Sequence, residues 1–272
     1  ANQIDIKGIG GDETDSINNE NLIGLEIIDS TIESSTSGIY LSGIAGDGNE
    51  QISFADAYDF NNGTGLIVES SHIEAADGVI QLEGNGSFGS DIFLGHGIEI
   101  ANSRILASEI VATGISAEAS SDGQTDESNG IDINHSTLSA VKQIELTGAS
   151  GNREKNSSDI ITSAGVYINN TDINTSAGPI KIKGDGGSGE SLGDSTGIAV
   201  YATDIRGSKI ELTGTGGNTN DPENSITSIG VTILEDSTLT TRPSEADPLL
   251  LVIDNQDIEK NRVDILKKIN FI

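Results

Sequence analysis

A short phrase, GIEIANSRILA at Gly97–Ala107, returns along this chain with its apolar and small positions kept. It reads GLEIIDSTIES from Gly24, GLIVESSHIEA from Gly65, GIDINHSTLSA from Gly130 and GVYINNTDINT from Gly165. It reads again as GIAVYATDIRG from Gly197 and GVTILEDSTLTT from Gly230. The initial glycines lie 41, 32, 33, 35, 32 and 33 residues apart. Self-similarity at such a period restricts a chain to repeat architectures, in which each copy covers the apolar face of the next.

Each copy extends past the phrase to a further apolar alternation closed by glycine. These are IYLSG (Ile39–Gly43), IQLEG (Ile80–Gly84), IVATG (Ile110–Gly114), IELTG (Ile144–Gly148), IKIKG (Ile180–Gly184) and IELTG (Ile210–Gly214). Alternation with period two is the signature of a strand with one face buried. Three such pieces per copy, separated by polar and glycine residues, give three short strands per rung. No hairpin signal joins them, so equivalent strands stack in parallel from rung to rung. The expected fold is all-β, a right-handed parallel β-helix with three-strand rungs and about seven repeats of roughly 33 residues. Antiparallel sandwiches have no need of the same spacing in every copy.

Composition fits a thin core wrapped by turns, with 34% apolar residues, 3% aromatics and 34 glycines in 272 residues. The net charge of −29, from 43 acids against 14 bases, argues against nucleic acid and against an anionic membrane surface. No apolar stretch approaches the roughly 20 residues that span a bilayer. The chain has no Cys, which removes disulfides and thiolate chemistry, and no Met, so it reads as a processed piece of a longer product.

One column of the frame is polar. Ser30, Ser71, Ser103, Ser136, Thr171 and Thr203 share the sixth position after the initial glycine, with Ser237 displaced by one. Stacked at a corner, their hydroxyls can bond backbone groups or one another, a structural ladder. The residue before each is a looser column of turn formers, including Asn102, Asn170, Asp29 and His135. At the start, IDIKG (Ile4–Gly8) reads as a third strand without its first two, so a further rung should precede it. Residues 1–241 form the repeat unit. Residues 242–272 hold a terminal strand at Leu249–Asp254 and then DIEKNRVDILKKINFI, whose Ile258, Ile265, Leu266 and Ile269 share one helical face. That segment is expected to be an amphipathic cap over the open sheet edge, or a tail.

Phrases such as DSTIESSTSGIYLSGIAGDGN and SKIELTGTGGN resemble the repeats of filamentous-haemagglutinin-like exoproteins of two-partner secretion, in their long cyanobacterial style. The likeness covers about Ile4 to Thr241. It implies a β-helix, export through an outer-membrane partner barrel, and adhesion at the cell surface or outside the cell. The Asn-Pro motifs of that family's secretion module are absent, so the stretch would be shaft.

Catalytic signatures are thin. His72 and His135 fall in repeat turns where other copies carry Asp, Ser, Asn or Thr, and His96 precedes a repeat glycine. Acids are plentiful, but no pair stands out, so no catalytic, cofactor or metal residue is assigned. Acidic glycine loops such as GIGGDETDS and GDGGSGESLGD leave only weak Ca²⁺ binding open, because none repeats a ligand spacing. Phe54, Tyr58 and Phe60 lie in one long loop and Phe88 and Phe93 in the next, a contact patch if exposed and a satellite core if buried.

The sequence is therefore read as a non-enzymatic shaft segment of a large secreted or cell-surface bacterial adhesin. Its expected partners are surface or matrix glycans or proteins, with end-to-end self-association as a further option. The rival readings are a β-helical polysaccharide lyase or hydrolase and a self-assembling extracellular filament or surface-layer subunit.

Overall fold

The computed structural model describes residues 3–11, 22–46, 63–89, 95–116, 118–119, 128–151, 163–187, 195–217, 228–234, 237–241 and 264–265. The chain is a parallel β-solenoid of about five turns. Strands with the same place in the repeat pair rung to rung, always in parallel: Ile98 stands beside Leu66 on one side and Ile131 on the other, and Ile100 beside Val68 and Ile133. The first strands of successive repeats, among them Leu66–Glu69, Ile98–Ala101, Ile131–Asn134 and Ser163–Asn169, make an eight-stranded sheet.

The second and third strands do not form separate sheets. In three rungs they run together as one bent strand, His72–Asn85, Arg104–Ile115 and Thr137–Ala149. An eleven-stranded sheet results, folded around the corner. Register shifts between Ala75 and Val79 and between Ala140 and Gln143 absorb the bend. The expectation of a full turn here is corrected: a bulge bends a strand while keeping most of its ladder bonds.

Alternation decides which side chains enter the lumen. Ile98, Ile100, Ile105, Ile110 and Ala112 are buried, whereas Arg104 and Thr113 face water. The core cluster contains only Ile, Leu, Val and Ala. Short strands facing one another across a narrow lumen leave space for aliphatic columns stacked at the strand spacing of about 4.8 Å, which accounts for the scarcity of aromatics.

Glycine marks the corner where the third strand meets the first. A methyl group at Gly114 would overlap the carbonyl oxygen of Gly130 and lie 2.9 Å from both the Gly130 carbonyl carbon and Ile131 Cγ1. One at Gly97 would lie 2.5 Å from the Gly130 oxygen and 2.7 Å from the Gly114 carbonyl carbon. The same overlap recurs at Gly43, Gly84, Gly148, Gly184 and Gly214 against the initial glycine of the following copy. Two backbone columns thus touch without side chains between them, and the loop of each rung leaves and returns through this neck. Ser116 and Ser128 share a hydrogen bond of 2.7 Å there, and Ser150 donates to the Ser128 carbonyl at 3.0 Å.

Of residues 242–272, the described pair Asp264–Ile265 forms a short strand on the first sheet, beside Thr232 and Ile233. At these two positions strand pairing takes the place of the expected helix, because the sheet edge offers backbone partners. The remainder of that segment lies outside the described residues, as does the strand expected at Leu249–Asp254.

Candidate functional site

The aromatic loop residues expected to form a contact patch, Phe54, Tyr58, Phe60 and Phe93, lie outside the described residues. Of Phe88 the backbone is described: Phe88–Gly89 pairs in parallel with Glu118–Ala119, so at these positions the rung-to-rung stacking continues beyond the neck. The acidic glycine loops also fall largely outside.

The hydroxyl column is fully described, and it is a hydrogen-bonded ladder. The backbone N–H of Ser71 donates to Ser103 Oγ at 3.0 Å, that of Ser103 to Ser136 Oγ at 3.1 Å, and that of Ser136 to Thr171 Oγ1 at 3.3 Å. Ser30 donates likewise to Ser71, Thr171 to Thr203 and Thr203 to Ser237. Each hydroxyl from Ser30 to Thr203 donates in turn to a carbonyl two residues back, as from Ser103 to Ala101 at 2.8 Å and from Ser136 to Asn134 at 2.7 Å, and Ser237 donates three residues back to Leu234. The preceding residues, Asp29, Ser70, Asn102, His135, Asn170 and Ala202, all have φ between 44° and 50°. Such a left-handed residue makes the sharp turn, and its strain is over-determined by the bonds on both sides. These hydroxyls are occupied by the backbone, which leaves them no free role as nucleophiles. Ser103→Ala would strand the buried Ser71 N–H, and a loss of roughly 1–3 kcal/mol in urea unfolding is expected.

The outward face of the first sheet carries most of the chemistry. Glu99, Asp132 and Tyr167 stand side by side on consecutive rungs. Two residues further along each strand lie Ala101, Asn134 and Asn169, with Tyr201 on the following rung. The Tyr167 and Tyr201 rings meet with centroids 5.4 Å apart and planes tilted by 40°. Although Asp132 points away from the lumen, it is 3% exposed. Asn129 Nδ2 donates to its Oδ2 at 2.7 Å, and Asn134 Nδ2 donates to its Oδ1. Asn129 is itself fixed: its Oδ1 accepts from Ala164 N at 2.9 Å and its own N–H donates to His96 Nδ1 at 3.2 Å. The bond to Nδ1 puts the His96 proton on Nε2.

Burial pushes the Asp132 carboxyl up to about 6 from the ordinary 3.8, and the Asn129 amide only partly opposes this. The folded chain therefore binds a proton more tightly at this site than the unfolded one does. Stability from this group is present below pH 3.8 and is lost as pH rises to about 6. The slope is at most about 1.4 kcal/mol per pH unit. Urea unfolding at pH 4 and at pH 7 should show that difference shrinking in Asp132→Asn.

Sequence reasoning passed over Asp132, Asn129 and Asn134. The column gave little signal: the position of Asp132 holds Ile67, Tyr167 and Ala199 in some copies and Glu26, Glu99 and Thr232 in others.

The three histidines part ways. His96 is buried in the network just described, and His135 is exposed at its turn. His72 stands on the outward face of the second strand, its Nε2 3.1 Å from Glu74 Oε2, and Glu33 of the neighbouring rung completes a group whose ligand atoms all lie within 4.8 Å of one another. One imidazole nitrogen and two carboxylates are a donor set for a divalent ion.

No protein-family model, no curated protein and no solved structure matches this chain.

Proposed function

We propose that the chain is a structural and adhesive shaft segment of a large secreted or cell-surface bacterial exoprotein. The filamentous-haemagglutinin-like, two-partner-secretion style of its repeats supports that reading, and right-handed winding over about seven repeats is proposed with it. The observation that carries it is the continuous parallel pairing of both sheets, with the hydroxyl ladder, from rung to rung. Central rungs are each bonded to the next through three strand segments and a corner, the construction of a stiff rod rather than of a hinged one.

Adhesion needs a lateral contact surface, and the Tyr167–Tyr201 pair beside Asn134 and Asn169 has suitable chemistry. Flat rings accept the C–H face of a sugar while side-chain amides bond its hydroxyls. A glycan is therefore the proposed partner.

A second reading, a β-helical carbohydrate-active enzyme, draws on Asp132 and Glu99 standing side by side, one of them holding its proton to about pH 6. A carboxyl of raised pKa beside a second carboxylate is an arrangement that serves glycoside hydrolysis. Against it, both Asp132 oxygens already accept amide hydrogens, so the group is poorly placed to donate a proton to a substrate.

A glycan array with the labelled chain and its Tyr201→Ala variant tests the adhesive reading. Binding lost in the variant supports a contact at the tyrosines. Binding retained in the variant moves the contact to the loops carrying Phe54, Tyr58, Phe60, Phe88 and Phe93. A chain that binds no glycan loses the glycan-adhesive role and keeps the shaft. Reducing ends released from a polysaccharide would establish the enzyme instead.

A further inference from the structure

We propose that Glu33, His72 and Glu74 form a binding site for one divalent ion of the zinc class on the outer face of the second strand column. The site is independent of the adhesive reading. His72 and Glu74 are two apart on one strand, so both project to the same side of the sheet. Parallel register then sets Thr31 beside His72 and Glu33 beside Glu74, which brings the second carboxylate within reach of the same point. Their donor atoms lie within 4.8 Å of one another. Around a tetrahedral ion with bonds of about 2.1 Å, donors stand about 3.4 Å apart. The His72–Glu74 pair already meets that spacing at 3.1 Å. Glu33 is exposed, and its free torsions can close the remainder.

Two charge relations point the same way. Glu33 and Glu74 are like charges directly opposite one another across a strand pair, an arrangement that costs stability unless a cation joins them. Elsewhere in this column an acid pair, Asp172 beside Asp204, is relieved by the Arg206 guanidinium 2.6 Å from Asp204. Among the described residues, the guanidinium beside the proposed site is that of Arg104, which stands next to His72 on the rung away from Glu33 and so does not separate the three donors. A bound ion would take the place that Arg206 fills further along. A net charge of −29 raises the local concentration of any divalent cation. Selection among cations comes from the imidazole, which favours zinc and copper over calcium and magnesium. Three protein ligands with water in the remaining position is the pattern of open zinc sites.

The test is calorimetric titration of the intact chain with zinc chloride, repeated in a tenfold excess of calcium chloride. It is paired with NMR of the chain labelled with ¹⁵N-histidine. The expected result is one zinc ion per chain, insensitive to calcium, with the His72 Nε2 resonance shifted and those of His96 and His135 unmoved. His72→Ala and Glu33→Gln should each weaken binding about tenfold or more, while His135→Ala leaves it unchanged. All three positions are on the surface, so the variants should melt as the parent does. Zinc binding that persists in His72→Ala, that calcium displaces, or that shifts another histidine would overturn the proposal and leave diffuse attraction to an acidic surface.

Discussion

Gly114→Ala is expected to lose roughly 3 kcal/mol or more of stability in urea unfolding, although it adds a single methyl group. The added carbon has no cavity to enter. It would overlap the Gly130 carbonyl oxygen and press on the Gly130 carbonyl carbon and Ile131 Cγ1, each at 2.9 Å. The first of these is backbone, held by Ile98 N–H donating to Gly130 O at 3.0 Å. Relief would require moving one strand column away from another, and parallel pairing on both sides resists that shift. Gly11→Ala provides the control, since a methyl there meets nothing within 4 Å. That variant should fall within about 0.5 kcal/mol of the parent. Equal midpoints for the two variants would show that the corner has slack and that glycine is kept there for another reason.

Those glycines also show what the sequence could and could not convey. Their spacing established the period, and period with alternation was enough for a parallel solenoid, because in a one-dimensional stack each rung repeats the same problem. What the spacing did not convey was why the residue is glycine: the partner of Gly114 is a backbone atom of Gly130, visible only once two columns meet at the neck. The merging of second and third strands was hidden for a related reason. Asp77–Gly78 looks like a turn in composition, yet a bulge bends the chain there and at Val141–Lys142 at the cost of only a few ladder bonds. The site was harder to read than the fold. Asp132 is outward by alternation and buried all the same, and single-strand alternation carries no information about what lies across that face. Glu33 and Glu74 lie 41 residues apart around the longest loop, so they meet only when the frames of two rungs are superposed. The hydroxyl ladder was legible because its column is nearly uniform and its chemistry is local.

Ile100→Ala is expected to cost roughly 2–5 kcal/mol. Ile100 is fully buried and stacks in register with Val68 on one rung and Ile133 on the other. Truncation removes the transfer energy of its methyl and methylene groups and opens a void that rigid neighbours cannot fill, because each is fixed by its own strand pairing. Position along the rod should matter as much as burial. A rung in the middle supports both neighbours, whereas Ile6, partly buried on a strand whose described pairing is with Ile39–Ile44, has one neighbour to lose. Ile6→Ala should therefore cost less than half as much. Ile9 is 78% exposed, and Ile9→Ala should be close to neutral. In a solenoid the central lesion also weakens coupling between the two halves, so the unfolding transition of Ile100→Ala should broaden or split while that of Ile6→Ala stays single. Circular dichroism across a urea series reads both effects at once. An unchanged midpoint and width for Ile100→Ala would mean that this column does not hold the rungs together, and that the strands' hydrogen bonds and the hydroxyl corner do.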